Sequence, residues 1–482
     1  MALAATTVWE VRATGNDNNG GGFNAAQTSA GTDYSQQDAP QLAATDLACV
    51  DTTTTLTSAT GGFTAAMVGN VIQIVSGTND VPGWYEITAY TNTNTVTIDR
   101  TCATPGSNMT SGVGNVGGAL ATPGKCGGAH VGGNTIWLKY TESDYSISSN
   151  SSNVANGRIT LAAGAIARLT KLFGYNATRG DSGTRPKLKW TTAGGNNAII
   201  TGSGYCDIRN VILDGNSQAT TGGTRTNGAG LYRHVNVKIM GMVYLASNAT
   251  RAHEFIECEW TGNTFHILEA NNVQSMLVHR CVFVDNASAQ YGVTVKSQGL
   301  CVISGCLFDN NKSGTAGGGV SVVDGSDVDG HVLIDSCDFY DNYNGINWNF
   351  ACSGRVQNCY CEANTGYGIA IAAACPDLRI VNCGGYNNAT ADYQSANVSA
   401  ANVVDFKAIT TGSAYVTAGT DFTKNDTPNR GALLRQAAWP SQFGGHTGTT
   451  NYGDIGAFRH QDPAGGGGGG ASGFPRRVMK LG

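Results

Sequence analysis

The chain contains few charged side chains. Asp, Glu, Lys and Arg make up 13% of its 482 residues, and 29 Lys and Arg against 34 Asp and Glu give a net charge of −5. Because no basic stripe runs along the sequence, general nucleic-acid binding is disfavoured. The 67 glycines favour a fold with many tight turns, and low charge with many small residues is typical of a long β-solenoid.

Long hydrophobic runs are also absent. No stretch approaches the roughly 20 apolar residues needed to cross a bilayer. The first residues, Met1 to Trp9, carry no basic segment and soon give way to polar sequence, so they do not predict a signal peptide. We therefore expect a protein made in a cytoplasm that leaves the cell by lysis or within an assembled particle, and no membrane partner.

A six-residue motif, Cys-x-aromatic-x-x-Asn or a close variant, recurs between residues 257 and 388. The spacings between its first cysteines are 23, 25, 31, 22 and 24 residues. A period in the twenties is shared by leucine-rich repeats and β-solenoid coils, and the leucine-rich consensus is absent. The motif begins at Cys258, Cys281, Cys306, Cys337, Cys359 and Cys383, and it ends at Asn263, Asn286, Asn311, Asn342, Asn364 and Asn388.

Alternation within the motif predicts which side chains face inward. Residues two apart lie on the same side of a strand, so Cys258 and Trp260 point inward while Glu259 points outward. The closing asparagine suits a left-handed bend, which its short polar side chain tolerates. The pattern predicts a right-handed parallel β-helix with one column of cysteines and one column of asparagines at a bend.

The 14 cysteines would suggest disulfides in a secreted chain. Here they occupy periodic inward positions, where a free cysteine behaves as a small hydrophobe, so a mainly reduced, stacked ladder is favoured. Occasional disulfides stay open, because neighbouring strands lie about 4.8 Å apart. Cys359 and Cys361 are too close together for the usual zinc pair, and we expect no metal and no cofactor.

The composition and the pattern of strands and turns along the chain suggest four segments. Residues 1–130 contain alternating strands separated by turns and are predicted to form an antiparallel β unit that caps or attaches the molecule. Residues 131–405 form the β-helix, and 406–460 form terminal coils and a cap that shields the last open edge. Residues 461–482 contain six consecutive glycines, Gly465 to Gly470, which predict a flexible tether.

The end of the chain allows two interpretations. One is a disordered tail. The other is a docking peptide that anchors apolar side chains in a groove while cationic ones meet acidic partners on another virion protein. The apolar residues are Phe474, Val478, Met479 and Leu481, and the cationic ones are Arg476, Arg477 and Lys480.

Several segments resemble a known group. Gly174 to Asp181 followed by Arg185-Pro186, the Ile/Val-x-x-Cys-x-Phe coils, and Asp454 to Ala457 resemble right-handed parallel β-helix proteins of the pectate-lyase-like superfamily. The opening Trp9 to Arg12 with Asn18 to Phe23 is similar to bacteriophage members of that group. The superfamily includes polysaccharide lyases, glycoside hydrolases, phage tailspikes and non-catalytic virion proteins. The fold alone does not indicate which of these functions a member has. Resemblance to viral spikes implies a homotrimer.

Cleavage of carbohydrate on this scaffold requires clustered acids on the outer face. Hydrolysis takes a carboxylate pair about 5 to 9.5 Å apart, and lyase chemistry takes several aspartates holding Ca²⁺ beside a base. The first candidates, Asp324, Asp327 and Asp329, occupy the longest repeat between Asp309 and Asp341, although a solvated turn explains them equally well. The second group is Glu254, Glu257 and Glu259, of which the last two are predicted to share an outer strand face.

Two further motifs are weaker. Arg179-Gly180-Asp181 matches an integrin-binding tripeptide, but we interpret it as a glycine turn between coils. Tyr343, Trp348 and Phe350 form a candidate aromatic platform for a sugar, or a packed loop or subunit contact.

The leading hypothesis is a non-enzymatic phage virion protein: a spike, fibre or decoration subunit on the capsid, neck or tail. It depends on the missing export signal, the lack of a concentrated acid/base constellation and the tethered tail. The alternatives are a tailspike depolymerase acting on host surface polysaccharide, and a cellular adhesin-like protein. Expected partners are further copies of the chain, other virion proteins and a host glycan.

Overall fold

The computed structural model describes residues 3–409. Internal residues outside that description are 193–196, 219–220, 227–229, 243, 248–251, 265, 272–274, 288–290, 297–298, 324–330, 350–352, 372–374, 376, 395–396 and 405. The described chain is almost entirely β. Its helices are one short α-helix, Pro123–Ala129, and 3-10 turns at Ala65–Met67 and Ala400–Asn402. The expected cap beyond residue 409 and the docking peptide lie outside the described residues.

An antiparallel barrel forms most of the N-terminal part, as predicted. It encloses its own apolar core, which includes Leu47, Phe63, Ile72 and Ile87. Its six strands close in the order Leu42–Cys49, Thr55–Ser58, Thr95–Ile98, Gly83–Asn92, Val71–Thr78 and Met109–Val116.

Strands after residue 134 stack as a parallel β-helix with three sides, which confirms the predicted fold class. The first side, sheet I, also includes the N-terminal strand Val8–Val11, which pairs in parallel with Thr135–Lys139. The strands of sheet I are, in spatial order, Gly22–Phe23, Val8–Val11, Thr135–Lys139, Thr170–Tyr175, Cys206–Arg209, Leu231–Val235, Ala252–Ile256, Ser275–His279, Leu300–Ser304, Val332–Asp335, Gly354–Gln357, Leu378–Val381 and Val403–Val404.

The other two sides have shorter or interrupted sheets. Sheet II contains Tyr145–Ile147, Lys187–Trp190, Ile212–Asp214, Lys238–Met240, Glu259–Thr261, Val282–Val284, Leu307–Asp309, Asp338–Tyr340, Tyr360–Glu362, Gly384–Tyr386 and Lys407–Ile409. The third side consists of one sheet with Ile159–Leu161, Asn197–Gly202 and Thr221–Thr226, and another with Tyr244–Ser247, His266–Asn271, Tyr291–Lys296, Gly318–Val322, Asn344–Trp348, Tyr367–Ile371 and Ala391–Tyr393.

Aromatic side chains stack along the interior of sheet II. Trp260, Phe283, Phe308 and Phe339 occupy matching positions on successive strands, with ring centroids 4.5, 4.7 and 4.9 Å apart and nearly parallel planes. Burial of each ring contributes about 1.5–3 kcal/mol, and aromatic pairing adds about 0.5–1.5 kcal/mol. The repeat therefore builds a continuous stack through the core.

The predicted cysteine column is also confirmed. All six first cysteines of the motif are buried, and they alternate with the outward residues of sheet II. Their thiols are free, as are those of all 13 cysteines in the described residues. Burial raises the pKa of the Cys281, Cys337 and Cys383 thiols well above its ordinary value, which keeps them uncharged in the core.

The asparagines of the motif form a hydrogen-bonded ladder. The Nδ2 of Asn263 donates to Oδ1 of Asn286 at 2.8 Å, and Asn286 donates in turn to Asn311 at 2.6 Å. Each ladder amide also donates to a backbone carbonyl of the preceding coil, as Asn311 does to Phe283 at 2.9 Å. Because these amides are buried, each bond satisfies a polar group that would otherwise be costly.

One detail of the ladder prediction is wrong. The left-handed conformation belongs to the residue before each ladder asparagine, as at Asp285 (φ 53°), Asn310 (φ 52°) and Ala363 (φ 55°). The ladder asparagines themselves turn inward, because their amides must reach the neighbouring coils. A second left-handed corner precedes each cysteine and separates sheet I from sheet II, as at Glu257 (φ 54°) and Arg280 (φ 53°).

A buried ion network joins the N-terminal segment to the β-helix. Glu10 accepts hydrogen bonds from Arg12 at 2.8 Å, from Arg179 at 2.7 Å and from the hydroxyl of Tyr175. Arg179 also pairs with Asp33 at 2.9 Å. The side chain of Glu10 is fully buried, so this contact fixes where the N-terminal strand meets the first coils.

The Arg179-Gly180-Asp181 tripeptide is a turn, as interpreted from the sequence. Gly180 is left-handed, with a φ of 93°. Asp181 accepts hydrogen bonds from the backbone of Asn176 at 2.7 Å and Thr178 at 2.8 Å, and backbone hydrogen bonds, that from Thr178 foremost, lower the pKa of Asp181 to about 2. The tripeptide therefore has a structural explanation that needs no ligand.

Candidate functional site

The outer side of the β-helix carries the three glutamates singled out in the sequence, Glu254, Glu257 and Glu259. Glu259 lies on a strand of sheet II, where it pairs with Lys238 at 2.6 Å and with Arg185 at 3.6 Å. Glu257 lies at the left-handed corner before the strand and pairs with Arg280 at 2.8 Å. The expectation that the two glutamates share a strand face is therefore wrong, because the corner residue is outside the strand and contacts a different cation.

Other coils supply these cations, and for Lys238 and Arg280 the coil is an adjacent one. Lys238 comes from the coil before Glu259, and Arg280 comes from the coil after Glu257. Burial lowers the pKa of Arg185, and the attraction of Glu259 opposes that shift. Glu254, on sheet I, pairs in the same way with Arg233 at 2.6 Å. The three glutamates are thus elements of charge ladders between coils.

The acidic loop candidates Asp324, Asp327 and Asp329 lie outside the described residues. Of the two aspartates expected to flank them, Asp341 lies at a left-handed corner and pairs with Lys312. Asp309 is half-buried on the outer side of sheet II. Trp348, one member of the predicted aromatic platform, is fully buried inside the coil and cannot bind a sugar. That part of the prediction is wrong.

Two buried acids on adjacent strands of sheet II were missed in the sequence analysis. Asp338 and Glu362 occupy outward positions of adjacent strands in sheet II, and Tyr360 lies directly beside Asp338 in the register. The exposed fractions of Asp338, Tyr360 and Glu362 are 3%, 1% and 6%. Burial, together with the negative charges of Glu362 and Asp338, raises the pKa of the Tyr360 phenol well above its ordinary value.

This Asp338–Tyr360–Glu362 cluster is the strongest candidate for acid/base chemistry in the described chain. A pair of carboxylates around a neutral phenol has the groups that general acid and base catalysis uses. All three residues make further interactions within the chain. Their small exposed area leaves little surface on which a polymer could bind. Alternation marks these positions as outward, but nothing in the sequence indicates that they are buried.

No group of His, Cys, Asp and Glu side chains within the described residues is arranged to hold a metal ion. No helix among them is long and apolar enough to cross a membrane. The predicted docking residues Phe474, Arg476, Arg477, Val478, Met479, Lys480 and Leu481 lie outside the described residues.

No protein-family model matches the chain, and no curated protein matches it. Among solved structures it is similar to the catalytic domain of a GH87 alpha-1,3-glucanase in complex with nigerose, at 12% identity and a TM-score of 0.31, covering 76% of this chain and 90% of that one. It is also similar to pectate lyase Pel9A, at 14% identity and a TM-score of 0.37, covering 72% and 92%. Likeness this low carries no argument about activity.

Proposed function

We propose that this chain is a non-enzymatic structural subunit of a bacteriophage particle, of the spike, fibre or decoration kind. The observation that supports it most is the ion pairing of the outer glutamates. Glu254, Glu257 and Glu259 each contact a cation from another coil at 2.6–2.8 Å. Because each carboxylate is engaged in a contact between coils, these acids suit a stable shaft better than a cleavage site.

The regular interior of the β-helix supports the same proposal. Each coil contacts only its neighbours, so the columns of cysteines, aromatics and asparagines give a stiff rod whose length grows with the number of coils. The phage assignment itself depends on the resemblance of Trp9 to Arg12 and Asn18 to Phe23 to phage proteins. Association with further copies, with other virion proteins and with a host glycan are parts of this proposal.

An activity assay tests the non-enzymatic part. Purified protein incubated with surface polysaccharide of the host should release neither reducing ends nor unsaturated uronates. Labelling of purified particles against this chain in micrographs should place it on the capsid, neck or tail. Release of sugar products would contradict the proposal. Absence of the chain from purified particles would also contradict it.

The second candidate is a depolymerase that acts on host polysaccharide, and the Asp338–Tyr360–Glu362 cluster is the observation that favours it. In that case Asp338→Asn and Glu362→Gln should each abolish product release. Glu259→Gln is the matched control, because Glu259 lies on the same outer face but already pairs with Lys238. Asp327→Asn tests the acidic loop separately.

The C-terminal residues are proposed to dock the chain onto its particle. A flexible glycine tether raises the local concentration of a modest anchor, so several copies in a symmetric assembly hold through avidity. Deleting residues 465–482 should leave the β-helix folded, with unchanged circular dichroism, but absent from particles. Normal incorporation of the truncated protein would move the anchor to residues 1–130.

A further inference from the structure

The outer side of sheet I carries two aromatic side chains near the start of the β-helix. Trp137 and Phe173 occupy equivalent outward positions on adjacent strands, and both are half-buried. Their ring centroids are 5.3 Å apart, and the ring planes meet at 71°. In such an edge-to-face pair one ring turns its edge to the other, so the faces of that ring are not covered by its partner. We call Trp137 and Phe173 the outer aromatic pair.

Neighbouring side chains hold both rings of the pair in place. Trp137 also packs edge-on against the buried Tyr175, with ring centroids 6.1 Å apart. The guanidinium of Arg209, which is in register with Phe173 on the next strand, lies 5.1 Å from the centroid of that ring. Asp207 fixes Arg209 through hydrogen bonds of 2.8 and 2.6 Å. Because the rings are held in this way, binding a ligand costs them little conformational freedom.

Two lysines flank the outer aromatic pair on opposite sides. Lys139 follows Trp137 by two residues, and Lys171 precedes Phe173 by two residues. Each lysine therefore begins about 6.6 Å along the strand from its ring, on the same side of the sheet. Both lysines are half-buried, and neither forms an ion pair with any described residue.

The other charged groups at this surface neutralise one another. Asp207, in register with Lys171, is paired with Arg209 at 2.6 Å. Glu10, in register with Trp137, is fully buried and is bound by two arginines at 2.8 and 2.7 Å. The two lysines thus give this surface a net positive charge, although the whole chain carries −5.

We propose that the outer aromatic pair and its two lysines bind a uronate unit of an acidic polysaccharide. A pyranose ring has a face of C–H groups that packs on an aromatic ring, and its rim carries hydroxyls that donate and accept hydrogen bonds. A guanidinium has five N–H groups, more than the two that Arg209 gives to Asp207, so Arg209 has donors left for those hydroxyls. The lysines attract the carboxylate.

This site deepens the proposed function and rests on it only for the source of the sugar, a host glycan. Single-stranded nucleic acid also combines aromatic stacking with cations, but it needs a charged groove that follows its backbone. Beyond Arg209 the same outward column continues with Val235 and Ile256, which are apolar. The surface therefore fits one charged unit beside the rings better than a chain of phosphates.

Calorimetric titration of the full chain tests the site. The probes are hexasaccharides of uronic acids, and each is compared with its carboxyl-reduced counterpart, which keeps the rings and hydroxyls but has no charge. The wild type should bind the acidic form at least about tenfold more tightly than the reduced form. This preference should decline in about 1 M salt, which screens the lysines.

Variants separate the contribution of the rings from that of the charges. Trp137→Ala should weaken binding of the acidic probes by at least about tenfold, while Trp137→Phe, which keeps an aromatic face, should weaken it by less than about threefold. Lys171→Gln should reduce the preference for the acidic form by about threefold or more and leave the affinity for the reduced form unchanged. Lys189→Gln is the matched control, because Lys189 lies on the outer side of sheet II and pairs with Asp144, and it should change neither affinity.

Circular dichroism of each variant establishes that the fold is intact. Equal affinity for the acidic and reduced forms, binding that survives Trp137→Ala, or no binding of any sugar probe would overturn the site. Tighter binding of a thymidine hexanucleotide than of every sugar would assign the surface to nucleic acid instead. Release of products from the probes would contradict the non-enzymatic function but not the binding site, so the two proposals fail separately.

Discussion

The coils before Cys258 and the coils after it form one β-helix, but different interactions stabilise them. The earlier coils are joined on their outer side by ion pairs, such as Lys187 with Asp144 at 3.1 Å and Arg233 with Glu254 at 2.6 Å. Their interior contains varied residues, among them Trp190, Tyr232 and His234. The later coils repeat a cysteine and an asparagine at each level, and the first four also repeat an aromatic ring, at Trp260, Phe283, Phe308 and Phe339.

This difference shows that strand pairing alone does not require a side-chain ladder. Where the ladder exists, each residue contacts an identical or similar one above and below, so a substitution disturbs two neighbouring coils. Where the ladder is absent, each interior side chain packs against residues of different types in the coils above and below. We therefore expect the later coils to be more sensitive to mutation of core residues and less sensitive to salt and pH.

The largest expected effect comes from the aromatic stack. Phe308→Ala removes a ring stacked between Phe283 and Phe339 and should lower the free energy of unfolding by about 3–5 kcal/mol. On the outer side of the earlier coils, Phe173→Ala removes a half-buried ring that contacts Trp137 and Arg209 and belongs to no ladder. It should cost less than half as much in urea unfolding. An equal loss in the free energy of unfolding for the two variants would contradict the proposed difference between the earlier and the later coils.

The next effect concerns the asparagine ladder. Asn311→Ala removes one of the two acceptors of the buried Asn286 amide and the side-chain donor to the carbonyl of Phe283, which should destabilise the protein by about 2–3 kcal/mol. The adjacent Asn310→Gly is the control, since glycine accepts the left-handed conformation there without strain and should change stability by less than about 1 kcal/mol. Urea unfolding of both variants measures the difference, and a tolerant Asn311 would argue against the ladder.

Acid should affect the earlier coils through two buried histidines. Burial lowers the pKa of His234 to about 3 and that of His253 to about 4, against about 6.5 in the unfolded chain. Their neutral forms stabilise the fold above pH 6.5, and this contribution declines as the pH falls toward the folded values. We expect a loss of roughly 2 kcal/mol per histidine at pH 5.

Unfolding in urea at pH 7 and pH 5 tests this expectation. His234→Phe should flatten the pH dependence, because His234 already stacks on Phe255, with centroids 4.8 Å apart, and among the described residues its ring nitrogens have no hydrogen-bond partner. His253→Phe, at the second buried histidine, should reduce the pH dependence in the same sense.

The smallest effect is expected for a single outer ion pair. Glu259→Gln removes the charge that contacts Lys238, and since partly exposed pairs are screened by solvent, stability should change by about 0–1 kcal/mol. Thermal unfolding in low salt measures it. A loss of several kcal/mol would mean that the outer charges stabilise the β-helix far more than their exposure suggests.

The sequence predicted the columns of the later coils because their residues recur at fixed offsets. The sequence-based prediction placed the left-handed corner one residue too late. At Asn310 and Asn311, for example, two polar residues are adjacent, and both tolerate that conformation. Only the hydrogen bonds of Asn311 to neighbouring coils distinguish the ladder residue from the corner residue. The burial of Asp338 and Glu362 and the partners of Glu10 depend on residues remote in sequence, so no local pattern reveals them.

Hydrogen exchange resolved along the chain, in low salt and in about 1 M salt, tests the contrast between the two groups of coils most directly. Salt at that concentration reduces the screening length to about 3 Å. Amides of residues 135–240 should exchange several-fold faster in high salt, while those of residues 258–388 should keep their protection. The same change in both regions, or a larger change in the later coils, would contradict the account.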